Sequence, residues 1–286
     1  DISDRETIPI QTHMNENKGE IAWVKELHPE CDSYADVYDS HGLMHERTYV
    51  AHCIHCSNGE IDLMAHKGSS VVHCPNSNFA LYVESLFILL HTITLQLLHE
   101  IRRSGVCDVR HLLNRGVKVA LGTDVGGGTH PSILDAIRLT LCASVAACQV
   151  NEESSEDKVE RCGQDLERAK SFATSKKRLG EDLKDAFEKG AKDPTEPLSM
   201  AEAFHLATQG GAEVLGQGDV VGNFLPGKSL DALIINAEGV HGAAGHGRSP
   251  FDVTENESPM EVFQKFIFLG DDRNIEQVFV DGRRVL

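Results

Sequence analysis

Residues 117–128 read Val-Lys-Val-Ala-Leu-Gly-Thr-Asp-Val-Gly-Gly-Gly, and this stretch constrains the fold more than any other. A short β-branched run ends in one carboxylate, Asp124, and glycines follow Val125. Such a pattern is a buried strand that carries an acidic side chain to the rim of a sheet, with a permissive loop beyond it. Taken alone, it is equally an acidic strand cap before a turn.

Its neighbours repeat the pattern. Residues 7–13, 47–52 and 69–73 read as short strands, and each ends in a histidine: His13, His52 and His73. Pro9 weakens the first, because proline is awkward inside a sheet. Helical spacing occupies residues 20–27, 59–67 and 109–115, and the fourth strand covers 117–124. Strand, loop, helix and strand in alternation predict parallel βα units. In a (β/α) barrel the carboxyl ends of the strands carry the chemistry, and a full barrel needs about eight units, of which about half are visible here. The expected fold class is therefore α/β.

Further along, Ser199 and Glu202 have capping-box spacing for a helix that should stop at Gly210-Gly211. From Gly222 the texture becomes turn-rich and strand-like. It closes on a strand, Asp281-Gly282 and a second strand, a hairpin signal. The expected division is a partial barrel over residues 1–218 and part of a small β-sandwich over 219–286.

Two segments break the rhythm. Residues 82–102 are Leu-rich, but flanked by Glu84 and Glu100 and interrupted by His91, too short to cross a bilayer. Residues 151–192 mix Glu with Lys and Arg and have almost no apolar stripe, the mark of a solvated helical excursion or a partly disordered one. Neither is expected to carry chemistry.

A formal net charge of -17 argues against nucleic acid or an anionic membrane as partner, since both attract a positive surface. A small, neutral or weakly polar ligand fits better. The 8 cysteines in 286 residues do not make a disulfide scaffold, and the setting reads as reducing and cytoplasmic. Cys53 and Cys56 form a Cys-x-x-Cys, but no matching pair lies at finger spacing downstream, so they read as small apolar fillers.

What remains is a cluster of chemistry-bearing residues at strand ends: His13, Glu16, His52 and Asp124. Zinc takes imidazole nitrogen and carboxylate oxygen and keeps one position open for water in catalytic sites. Its charge brings the water's pKa down to about 7. A carboxylate that is not a ligand, the role that suits Glu16, then carries protons to a leaving nitrogen. Each residue also has a plainer reading: a hydrogen-bonded strand-end histidine, or an acid favoured at a helix start.

Five stretches together resemble the guanine deaminases of the amidohydrolase superfamily. They are Pro9-Ile-Gln-Thr-His-Met-Asn-Glu16, Val50-Ala-His-Cys53, Val72-His-Cys-Pro-Asn-Ser-Asn78, Leu121-Gly-Thr-Asp-Val-Gly-Gly127 and Phe266-Ile-Phe-Leu-Gly-Asp-Asp-Arg-Asn-Ile-Glu276. The resemblance implies a distorted (β/α)8 TIM barrel with a small β-sandwich, one zinc ion, and hydrolysis of guanine to xanthine and ammonia. By that likeness His13 and Asp124 ligate zinc, while His13, Glu16 and His52 contact the substrate. Glu16 moves protons to the departing amino group and holds a ring nitrogen, His52 polarises the attacked carbon, and Asp124 orients the water and accepts its proton. A homodimer is implied as well.

The family's His-x-His zinc pair, a glutamine and an Arg-Phe pair that grip the purine are expected upstream of His13 and are not in this chain. The chain opens Asp1-Ile-Ser-Asp4 and reads as the carboxyl-terminal half of a longer protein. Residues 82–102 fall where the family runs straight on, and are expected to be retained non-coding sequence, which the mature message would reveal. The remaining alternatives are a related aminohydrolase or chlorohydrolase acting on another heterocycle, and a non-catalytic binding protein.

Overall fold

The computed structural model describes residues 8–79, 104–153, 196–238 and 248–286, without the side chains of 149–153. The expectations for residues 82–102 and 154–192 lie outside the described residues. Residues 151–153 close a helix that starts at Ile133. The chain divides into two compact units, Asp1–Gly216 and Gln217–Leu286.

The first unit is built on a four-stranded parallel sheet whose strands lie in chain order: β1 (Ile10–Met14), β2 (Thr48–His52), β3 (Ser70–His73) and β4 (Lys118–Leu121). Sequential parallel order with helical crossovers is what part of a (β/α)8 barrel requires. The register sets His13 opposite Ala51, Met14 opposite His52, and His73 opposite Leu121, so the polar strand ends fall at one edge of the sheet. The helices are α1 (Lys18–Leu27), α2 (Tyr34–Ser40), α3 (Asn58–Lys67), α4 (Val109–Asn114), α5 (Ile133–Glu153), α6 (Met200–Ala207) and α7 (Gln209–Val214). Met14, Val50, Met64, Val71, Leu112 and Val119 are buried. Each such side chain contributes about 1.5–3 kcal/mol to holding the sheet on its helices.

Local chemistry sets the helix starts. Asn17 accepts from Glu20 N, Ser57 and Ser199 make capping boxes with Glu60 and Glu202, and Asp108 accepts from His111 N. The Ser199 box is the one the sequence announces. The helix it opens does not stop at the glycine pair. It breaks at Thr208 and resumes as α7, which contains Gly210 and Gly211. Gly210 serves close approach instead: a Cβ there would lie 2.9 Å from the Val119 carbonyl oxygen, so only glycine lets α7 rest on β4.

Two strands differ from the sequence reading by more than one residue at an end. β1 starts after Pro9, where Ile10 N donates to Arg47 O at 3.0 Å, because proline has no N–H for the ladder. It runs past His13 to Met14. β4 ends at Leu121, short of Asp124, because the chain turns there: Asp124 adopts φ 48° and its carbonyl accepts from Gly127 N and Gly128 N.

The second unit holds a three-stranded antiparallel sheet, β5 (Ala232–Ile235), β6 (Ile275–Val280) and β7 (Arg283–Arg284), and a helix, α8 (Pro259–Leu269). Asp281 and Gly282 join β6 to β7 with φ of 49° and 72°. Positive φ at both central residues is what a tight hairpin turn demands, and Asp-Gly supplies it.

Candidate active site at the carboxyl edge of the sheet

Each functional side chain is placed by the way its strand ends. His13 is exposed, and its carbonyl accepts from Tyr38 Oη of α2 at 2.7 Å. Asn15 then turns the chain with φ 53°, a conformation asparagine tolerates better than most residues. The Asn15 amide donates to Glu60 Oε1 at 2.9 Å. This turn brings Glu16 back over the strand end. Its backbone N donates to Glu20 Oε2 at 3.0 Å, and its Oε1 accepts from Ser104 Oγ at 3.4 Å.

His52 is fully buried and has φ 72°. A left-handed backbone at a bulky residue costs about 1–3 kcal/mol and persists only where the surroundings hold it. Asp124 repeats the feature at φ 48°. The loop beyond it is tight: a Cβ at Gly128 would lie 2.2 Å from the Thr123 carbonyl oxygen, which only glycine avoids. Two of the residues singled out in the sequence thus sit in strained backbone, as functional side chains often do.

These residues converge. Ligand atoms of His13, His52 and Asp124 all lie within 4.8 Å of one another. The His13 and His52 rings meet edge to face with centroids 4.7 Å apart. His52 Nε2 stands 3.9 Å from Glu16 Oε1 and 4.0 Å from Asp124 Oδ2. Both separations are too long for hydrogen bonds. Nε2 is buried without a hydrogen-bond partner among the described residues. A buried imidazole nitrogen facing two carboxylates at these distances leaves space for a bridging atom. Imidazole nitrogen with carboxylate oxygen is a donor set that zinc accepts. Among the described residues no cysteine joins a metal-sized group. Cys53 is buried, and burial pushes its thiol up, as it would for an inert apolar filler.

Burial also shapes the floor of the site. His73 is fully enclosed, and both its ring nitrogens lack partners among the described residues. Burial, reinforced by His52, holds its pKa down at about 3, so its imidazole is neutral. Cys74 is pushed up to about 12 by burial and by the carboxylates of Asp124 and Glu16.

Sequence reasoning left out Asn78, whose Oδ1 accepts from His52 Nδ1 at 2.9 Å. It also left out Glu60, which buttresses the Asn15 turn, and Ser104, which touches Glu16. A signal for Asn78 was present: Asn76-Ser77-Asn78 directly follows a histidine-ended strand, at the edge where the other polar residues gather.

Comparison with known proteins agrees with this geometry. The pattern described as "Amidohydrolase family" matches residues 1–285. A probable guanine deaminase of Schizosaccharomyces pombe is 36% identical over 285 residues, 100% of this chain and 41% of the relative. Human guanine deaminase is 32% identical over 289 residues, 100% of this chain and 48% of the relative. The crystal structure of a guanine deaminase from C. acetobutylicum, with guanine bound in its active site, superposes with a TM-score of 0.67 at 31% identity. That match covers 100% of this chain and 50% of the other. The chain thus spans about half the length of the curated relatives it matches.

Proposed function

The chain belongs to the amidohydrolase family, and from that premise we propose that its site serves, in the whole protein, zinc-dependent hydrolytic deamination of guanine to xanthine and ammonia. The observation that carries the proposal is the meeting of His13, His52 and Asp124 within 4.8 Å, with the Glu16 carboxylate beside them. The guanine deaminases among its relatives, and the neighbour with guanine bound, support the choice of substrate.

In this reading His13 and Asp124 hold the metal. Bound zinc supplies Lewis acidity that brings water's ionisation toward neutral pH. The Asp124 carboxylate orients the attacking water and accepts its proton. Glu16, tethered through its own backbone to Glu20, grips a ring nitrogen of the purine and delivers a proton to the departing amino group. His52 Nε2 faces the attacked carbon and polarises it. His13 doubles as a wall of the substrate pocket. Free thiols at Cys31, Cys53, Cys56, Cys74, Cys107 and Cys142 accord with a cytoplasmic setting. Among the described residues no helix is long and apolar enough to cross a membrane. A homodimer is part of the same proposal, carried by the likeness to the family.

The test is xanthine and ammonia formation from guanine by the zinc-loaded whole protein, with the upstream half present, beside its Glu16→Gln variant. Glutamine keeps the shape of Glu16 but cannot carry the proton, so turnover should fall by at least about 100-fold. Equal turnover by the variant, or preference for a chlorinated heterocycle over guanine, would contradict the proposal.

A further inference from the structure

We infer that Asn78 is a positioning residue that fixes the ring of His52, so that Nε2 and not a ring carbon is presented between Glu16 and Asp124. The inference deepens the proposed reading of the site and rests on it for its catalytic consequence. A histidine at the end of a strand can rotate about its last side-chain bond. What stops it is a partner for the nitrogen that does not face the site. Here that partner is a carboxamide oxygen at 2.9 Å from Nδ1. An amide oxygen only accepts, so Nδ1 carries the hydrogen of this bond. Both residues are enclosed, Asn78 at 1% exposure and His52 at 0%, so no bulk water competes for the contact.

Asn78 is itself held. It lies on a helical turn over residues 75–79, where its N donates to Cys74 O at 3.1 Å. Two residues earlier, Asn76 Nδ2 donates to His130 O at 3.0 Å, tying the turn to the segment that follows Asp124. The Asn78 Nδ2 has no partner among the described residues, so within them the His52 bond is what the amide makes. A carboxylate at this place would hold the ring as well, but would crowd a third acid beside Glu16 and Asp124. The neutral amide orients without that cost. Partners of this kind, one step removed from the reacting atoms, are worth about 10–100-fold in activity when lost.

The test compares the protein with Asn78→Leu and Asn78→Asp. Leucine keeps the volume and removes the acceptor, and aspartate keeps an acceptor. Nitrogen-15 spectra of the histidine rings, with His52 assigned by its loss in His52→Gln, report whether Nδ1 holds a hydrogen. The expected result is a protonated, hydrogen-bonded Nδ1 in the parent protein and in Asn78→Asp, and loss of that signature in Asn78→Leu. Turnover of guanine by Asn78→Leu should fall by about 10–100-fold while KM and zinc affinity stay nearly unchanged. Persistence of the Nδ1 signature in Asn78→Leu would overturn the inference, as would a fall in zinc affinity equal to the fall in turnover. The ring spectra need no turnover. A parent protein that leaves guanine untouched would defeat the proposed function, while the spectra would still decide what Asn78 does.

Discussion

Replacing Asp124 with asparagine should lower the protein's affinity for zinc by more than about 100-fold while leaving its fold intact. The size follows from the donor set. Groups that merely orient a ligand are worth about 10–100-fold in metal affinity, and a ligand carrying the charge is worth more. Asparagine is the right probe because it separates charge from backbone. Asp124 sits at φ 48°, where an alanine would add strain of its own, whereas asparagine is among the residues most at ease there. The Gly127 and Gly128 N–H groups that close the loop bond to the carbonyl of residue 124, not to its side chain, so the turn survives the change. The measurement is competition for zinc against a chelator of known affinity, with circular dichroism to show that the fold is kept. Unchanged affinity would remove Asp124 from the metal site.

The largest expected loss of stability lies at Glu60. One buried carboxylate ties together three parts of the first unit. Its Oε1 accepts from Asn15 Nδ2 at 2.9 Å and from Ala35 N at 3.3 Å, and its Oε2 accepts from Ser57 N at 2.8 Å and Ser57 Oγ at 2.9 Å. The Asn15 turn beneath Glu16, the first turn of α2 and the cap of α3 therefore share one acceptor group. Alanine at this position leaves buried donors with no partner, and each costs about 1–3 kcal/mol. A loss of about 4 kcal/mol is expected for Glu60→Ala, measured by denaturant unfolding of the metal-free protein. Glu60→Gln, which keeps one good acceptor, should lose less than half of that. Because the Asn15 turn aims Glu16, Glu60→Ala should also weaken any proton-transfer step more than its effect on stability alone would predict. A change below about 1 kcal/mol would mean that water or a local shift replaces the carboxylate.

The alternation of strands and helices was legible because period-two and period-3.6 apolar patterns are local properties of a sequence. The histidine-ended strands and the Asp124 stretch could be read for the same reason. The Ser199–Glu202 cap and the Asp281-Gly282 turn were legible because their chemistry is confined to a few neighbouring residues. The glycine pair at 210–211 misled, because glycine also serves close approach, and a sequence does not say what lies opposite. What Asn78 and Glu60 hold across the fold was harder to read: His52 and Asn15 lie 26 and 45 residues from them, and a hydrogen bond over that distance leaves no periodic trace, so the Asn76-Ser77-Asn78 run marked a place without naming its partner. One stretch of the resemblance, Leu269 to Ile275, is structural. It ends α8 at Gly270, where a Cβ would strike the Phe266 ring, and buries Asn274, whose amide bonds Asn236 O and Ser249 Oγ. Part of the resemblance therefore rests on residues that hold the fold and not on those that carry the chemistry.

Zinc bound at the strand-end rim through His13 and Asp124, with His52 beside it, should be visible by X-ray absorption on the zinc-loaded protein. The expected spectrum shows a shell of nitrogen and oxygen scatterers that changes in Asp124→Asn, with zinc–ligand distances of about 2.0–2.2 Å. A sulfur shell at about 2.3 Å, untouched by that substitution, would put the metal on the cysteines and contradict the claim.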